Sequence, residues 1–154
     1  MKMVYLASPD SFIGTAHDFP WMTIRGQIVN ELQHTLTLVY RPYSAFKLPA
    51  MPVGEGESGQ MREINNTAFL VSDGMIALLP EGSKTLAVPY RVGMARGIGK
   101  PLVVVTDAPG WVEALGSEVL VYSPHRWAKA VSELCKMMMD VPSVTPVDGD
   151  PEGA

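Results

Sequence analysis

The sequence predicts a doubly wound α/β fold of the Rossmann/flavodoxin-like type, a five-stranded parallel sheet with helices on both faces. Three observations predict it. Short apolar runs alternate with helix-period segments along the chain, in the order β-α-β-α-β-α-β-α-β-α. Residues 72–106 read as strand, loop, helix, tight turn, strand, which is a parallel crossover unit. The two strands of that unit, at 73–79 and 101–105, are almost wholly apolar, as strands covered on both faces are. The expected strand order is 2-1-3-4-5, which places the topological switch between the first and third strands.

Each element has a local cause. Met3–Ala7 is a short apolar strand ended by Ser8, Pro9 and Asp10. Asp18 and Pro20 signal a helix start. Trp21, Ile24, Ile28 and Leu32 then recur at helical spacing through His34. Residues 35–40 are β-rich and read as the second strand. Residues 41–59 carry Pro42, Pro49, Pro52, Gly54, Gly56 and Gly59, so a long loop is expected there. Residues 60–71 are helical, with Met61, Ile64, Ala68 and Val71 expected on the packed face.

Beyond the third strand, the loop through Gly82, Ser83, Lys84 and Thr85 leads to a helix at 90–98 that Gly99 closes. Gly93 and Gly97 are expected to let that helix pack closely on the sheet. Asp107 and Pro109 cap a short helix ending at Gly116, and residues 118–122 form the fifth strand. Ser123 and Pro124 start a last helix running to Met139. Residues 1–140 thus make one domain. The tail at 141–154, rich in Pro, Asp and Gly, is expected to be disordered.

Composition narrows the function classes. The 154 residues are 47% hydrophobic and 18% charged, which suits a globular chain with a sizeable core. A net charge of −4 argues against duplex nucleic acid as the partner, because phosphate neutralisation needs clustered Lys and Arg. The single cysteine, Cys135, cannot form an internal disulfide and reads as a reduced, partly buried core residue. No apolar run approaches a membrane span, and no signal peptide precedes the first strand. The expectation is a soluble, cytoplasmic protein with no membrane partner.

Several familiar motifs fail on inspection. Residues 93–100 superficially suggest a phosphate loop, but Pro101 stands where Ser or Thr would bind magnesium. No G-x-G-x-x-G follows the first strand, and no G-x-S-x-G elbow is present. His17, His34 and His125 are far apart and form no metal-ligand cluster with cysteine. No cofactor and no metal are expected.

Topology alone nominates a site. Ligands of doubly wound sheets bind at the carboxyl ends of the strands, at the switch point. That crevice is expected to gather Ser8–Asp10, Asp73 and the 80–88 loop with its hydroxyls Ser83 and Thr85. The loop feeds a helix N-terminus, where free N–H groups and the helix dipole favour an anion. Asp73 has two readings: a turn residue at the amino end of its strand, or a carboxylate projected toward the ligand edge. Arg91, expected in the first helical turn, opposes the dipole. It is either balanced by a bound anion or carboxylate, or is simply exposed.

At these residues the chain resembles the nucleoside 2-deoxyribosyltransferase superfamily, which includes nucleoside 5′-monophosphate N-glycosidases. The resemblance rests on Tyr5-Leu6-Ala7-Ser8-Pro9, on residues 64–80 with Ser72-Asp73, and on residues 93–105 with Gly99-Lys100-Pro101. Ile28-Val29-Asn30-Glu31-Leu32 and the strand after it are similar to the monophosphate branch. The likeness spans about residues 3–106. It implies a nucleoside or nucleotide ligand, a homodimer, and a substrate-binding set of Tyr5, Ser8, Asp10, Gly82, Ser83, Thr85 and Arg91. One departure is large. The family's helix opens with a pattern like G-T-A-F-E-x-G, whose glutamate attacks the anomeric carbon. Here the stretch is Ala87-Val88-Pro89-Tyr90-Arg91-Val92-Gly93, so Arg91 falls at the glutamate position. A guanidinium stays protonated and can be neither nucleophile nor carboxylate base. Thr85 falls where the monophosphate branch has a phosphate-binding serine.

Two function classes follow. In one, the protein binds a nucleoside or nucleotide and lacks the glutamate-dependent activity. In the other, it is an N-glycosidase or deoxyribosyltransferase with a relocated carboxylate, for which Asp73 is the first candidate and Asp10 and Glu81 are others. A weaker third reading is an interaction domain whose ten methionines supply an adaptable apolar surface.

Overall fold

The structure, a computed structural model, describes residues 1–9, 21–35, 37–42, 55–83 and 85–140, with backbone alone for 55–59. The elements are β1 (Met3–Ala7), α1 (Trp21–His34), β2 (Leu38–Tyr40), α2 (Glu55–Val71), β3 (Gly74–Leu79), α3 (Ala87–Gly97), β4 (Leu102–Thr106), α4 (Pro109–Leu115), β5 (Leu120–Tyr122) and α5 (Trp127–Asp140). A 3-10 turn at Pro124–Arg126 leads into α5. The five strands lie in the order β2-β1-β3-β4-β5, and every pair is parallel. This is the predicted fold class and strand order. No helix among the described residues is long and apolar enough to cross a membrane.

Strand side chains alternate between the two faces, so each strand feeds two cores. On one face Val4, Leu6, Ile76, Leu78, Val103 and Val105 pack against Ile28 and Leu32 of α1 and Leu134 and Met138 of α5. On the other, Tyr5, Ala7, Met75, Ala77, Leu79 and Val104 meet Phe69 of α2, and Val88, Val92 and Ala95 of α3. All six β3 residues are buried because both faces are covered. That is why β3 reads as a continuous apolar run rather than an alternating one. Gly74 opens β3 where α5 comes closest. A Cβ there would lie 2.8 Å from Met138 Sδ and 3.0 Å from Leu134 Cδ1.

Local expectations needed correction in several places. Helix α2 starts at Glu55, inside the stretch read as loop; residues 43–54 lie outside the described residues. Its packed face is also rotated. Ala68 and Phe69 are buried, whereas Ile64 and Val71 are 49% and 64% exposed. The spacing 61-64-68-71 is apolar, but the sheet is met by residues one position further round the helix. Helix α3 begins at Ala87 rather than Tyr90, which puts Arg91 in its second turn. Gly93 and Gly97 are exposed and have nothing within 4 Å of a built Cβ. They do not mediate close packing; Val88, Val92 and Ala95 face the sheet instead. Gly99, at φ +70°, does close the helix as expected. The capping pair Asp18 and Pro20, and the tail at 141–154, lie outside the described residues.

Candidate functional site

The carboxyl edge of the sheet is built from the segments that follow β1, β3 and β4. After β1, the Ser8 hydroxyl donates to the Pro9 carbonyl at 3.0 Å. Arg25 reaches in from α1 and donates to Ser8 Oγ at 3.1 Å and to the Pro9 carbonyl at 3.2 Å. After β3, the Ser83 N–H donates to the Pro80 carbonyl, which closes a turn with Gly82 at φ +85°. That conformation suits glycine. The Ser83 hydroxyl in turn receives the Thr85 N–H at 3.4 Å. After β4, Asp107 Oδ1 accepts the Glu81 N–H at 2.7 Å and ties two neighbouring loops together. Its Oδ2 is enclosed without a hydrogen-bond partner among the described residues. Thr106 holds the same corner by donating to the Leu79 carbonyl at 2.6 Å and accepting the Ala108 N–H at 3.0 Å.

The electrostatic centre is Arg91. It is 8% exposed and is the one buried charged side chain among the described residues. Its guanidinium carbon lies 5.3 Å from the Phe69 ring centroid and 5.7 Å from those of Tyr5 and Tyr90. One N–H points at Met94 Sδ, 3.6 Å away. None of the ion pairs among the described residues involves Arg91. Ring contacts of this kind are worth about 0.5–2 kcal/mol. Removing an ion from water costs several kcal/mol after relaxation. Three such rings and the Tyr5 hydroxyl together offset a cost of that order.

Tyr5 forms the floor of this cage. It is buried, stacks on Tyr40 at 5.5 Å and meets Phe69 edge-on at 5.5 Å. The Tyr40 hydroxyl donates to Asn65 Oδ1 at 2.7 Å, which links β2 to α2. Burial pushes the Tyr5 phenol up to about 12, with the Arg91 charge and a side-chain hydrogen bond from Arg91 pulling more weakly the other way. Tyr5 is thus a neutral hydrogen-bonding group throughout the physiological range.

The structure sorts the sequence-predicted residues into three groups. Tyr5 and Arg91 come together in the cage. Ser8, Gly82, Ser83 and Thr85 lie on the carboxyl-edge loops, and Asp10 falls outside the described residues. Asp73 is at the opposite, amino edge. Its Oδ2 accepts the Met3 N–H at 2.8 Å, and its own N–H donates to the Met3 carbonyl at 2.8 Å. Between it and the 80–88 loop stands the whole length of β3. The candidate catalytic carboxylate is therefore not brought to the crevice, and its present bonds join β1 to β3. We expect Asp73→Ala to cost about 1–3 kcal/mol in urea denaturation, as loss of a charge-assisted hydrogen bond does. Ligand affinity should stay within twofold of wild type. A tenfold loss of affinity in a folded variant would return Asp73 to the site.

Arg25, Tyr40, Asn65, Phe69 and Asp107 were not singled out as site residues. Phe69 was accessible in principle, since 61, 65, 68, 69 and 72 also form a helical stripe. Asp107 directly follows an apolar strand, the position where crevice residues sit in such sheets. A cavity of about 440 Å³ lies elsewhere, at the amino edge, lined by Lys100, Leu102, Leu120 and Met137 and rimmed by the exposed Arg96–Glu118 pair.

No known protein-family model matches the chain, and no curated protein matches it. Solved structures do. The chain is similar to a 2-deoxyribosyltransferase from the psychrotolerant bacterium Bacillus psychrosaccharolyticus, with TM-score 0.60 and 16% identity over 82% of this chain and 88% of that one. A conserved protein from Enterococcus faecalis V583 aligns with TM-score 0.49 and 18% identity, over 90% and 96% of the two chains. The strand order, the parallel register and the first of these similarities together give this chain a nucleoside 2-deoxyribosyltransferase-like fold.

Proposed function

We propose that the protein binds a nucleoside or nucleotide at the carboxyl edge and does not carry out glutamate-dependent glycosyl transfer. One observation carries this reading. The residue that the sequence resemblance sets at the nucleophile's position is Arg91, and its guanidinium is buried against the Tyr5 ring. Attack on an anomeric carbon needs a carboxylate lone pair, and a guanidinium has none to give at working pH. The similarity to a deoxyribosyltransferase supports a nucleoside-like ligand for the crevice.

A second reading, hydrolysis or transfer at the N-glycosidic bond by a relocated carboxylate, draws on Asp107. That side chain stands on the carboxyl edge with one oxygen lacking a partner among the described residues. A single experiment separates the two. The four common ribonucleosides, their deoxy forms and the 5′-monophosphates are each incubated with the full chain. Melting temperature and free base by chromatography are read together. We expect stabilisation without base release, amounting to about 2.7 kcal/mol at a hundredfold excess over Kd. Arg91→Glu should gain base release from a ligand that stabilises wild type. Base release by wild type, abolished in Asp107→Asn, would overturn the binding-only reading in favour of the second.

A further inference from the structure

We propose that the carboxyl-terminal segment 141–154 docks into the amino-edge cavity of its own chain, with the stretch from Val141 to Val147 as the seated part. The inference goes beyond the reading of the crevice and does not depend on what binds there. The first ground is where the segment begins. The cavity, of about 440 Å³, lies between the start of β4 at Leu102, the start of β5 at Leu120 and the last turn of α5 at Met137 and Asp140. Asp140 is both the final residue of α5 and part of the cavity wall. An extended residue advances the chain by at most about 3.6 Å, so Val144 stays within about 14 Å of Asp140. A segment tethered at the rim meets the cavity at an effective concentration in the millimolar range, so weak contacts suffice to seat it.

The second ground is the sequence of the segment. Pro142 and Pro146 hold their own φ near −65° and disfavour helical backbone at Val141 and Thr145. That sets a stop just past Asp140 and biases 141–147 toward extended backbone, which lowers the entropy lost on docking. Rich in Pro, Asp and Gly, the segment cannot bury a core of its own. It nevertheless carries Val141, Val144 and Val147, for which the cavity is an apolar partner. The third ground is the wall. Leu102 is buried, Met137 is half-buried and Leu120 is 40% exposed. Leu120 belongs to β5, which pairs with β4 alone among the described residues and so ends the sheet in an open edge. Native folds cover such edges. Apolar contact supplies the binding and charge sets the direction. The wall holds Arg96 and Lys100 beside Glu118 and Asp140, and the segment brings Asp148, Asp150 and Glu152 with no Lys or Arg. Arg96 pairs with Glu118, whose side chain is 82% exposed. A pair so open to water is weak, and an acid of the segment can share its cation.

NMR spectroscopy of the isotope-labelled full chain tests this. We expect nuclear Overhauser contacts from the Val141 or Val144 methyls to Leu120 and Met137, unchanged on tenfold dilution. Backbone order parameters should stay above about 0.6 over 143–147 and fall below it by 152–154. Val141→Asp combined with Val144→Asp alters the segment alone, so the rest of the fold is not at risk. It should abolish the contacts and shift the Leu120 and Met137 methyl signals, whereas Val144→Ile should keep the contacts. Wild-type order parameters below that limit across the whole of 141–154 overturn the proposal. So do Leu120 and Met137 signals that the double variant leaves in place. Contacts seen only between labelled and unlabelled copies in a mixed sample overturn it in favour of a second copy's segment as the occupant. None of these outcomes bears on the nucleoside or nucleotide reading, which the melting and base-release measurements test.

Discussion

Phe69→Ala is expected to lower the stability of the fold by about 3–5 kcal/mol, the range for emptying a buried aromatic site. The ring is fully buried and contacts groups of three kinds. It meets Tyr5 edge-on at 5.5 Å, lies 5.3 Å from the Arg91 guanidinium carbon and 5.2 Å from Lys100 Nζ. Truncation therefore removes buried apolar area and leaves two cations without their ring. Lys100 is anchored independently through its bond to the Ser72 carbonyl, so Arg91 bears most of the electrostatic loss. Phe69→Leu retains most of the volume and should cost about 1 kcal/mol more than a volume-conserving swap elsewhere, because the ring contact is lost. Urea denaturation of both variants measures this. A loss under 1 kcal/mol for Phe69→Ala would show that the cage does not depend on the ring.

Tyr5 predicts a pH dependence. Its folded-state value of about 12 exceeds the ordinary phenol value of 10.0, so the folded protein holds this proton more tightly than the unfolded chain. The sign follows from linkage. The stabilisation is fully present below pH 10 and is lost as pH rises toward 12. By pH 11 the loss is about 1.4 kcal/mol, and the whole shift is worth about 3 kcal/mol. Tyr5→Phe removes the titrating group, so the stability of wild type relative to the variant should fall by about 1.4 kcal/mol between pH 8 and pH 11. Denaturation curves at the two pH values give the comparison directly. A wild type and variant that lose stability in parallel would mean that Tyr5 ionises in the folded state as freely as in the unfolded one.

How far the chain could be read in advance depends on the range of the interaction involved. Parallel topology and strand order were legible because a run such as Gly74–Leu79, apolar at every position, can be satisfied only between two covering layers. The closing of α3 at Gly99 was legible for a similarly local reason, since its φ of +70° needs a residue without a Cβ. Helix faces were less legible. In α2 the stripe 61-64-68-71 is wholly apolar, whereas the stripe through Ala68 and Phe69 also carries Asn65 and Ser72, and only the position of the sheet chooses the second.

The site divides along the same line. The residue types at Tyr5, Ser8, Ser83, Thr85 and Arg91, and their placement around a switch point, follow from the order of elements along the chain. What Arg91 faces does not. An arginine in the second turn of a helix is compatible with solvent or with a buried cage. The choice was made by Tyr5 from β1 and Phe69 from α2, 86 and 22 positions away in sequence (91 − 5 and 91 − 69). Asp73 shows the converse. Its sequence neighbours allowed a crevice carboxylate, and the parallel pairing of β1 with β3 instead bound it to the Met3 backbone at the far edge. Local sequence determined which elements form and where they stop, because those depend on neighbours along the chain. Which edge a carboxylate serves and whether a cation is buried are set by partners distant in sequence, so only the tertiary structure decided them.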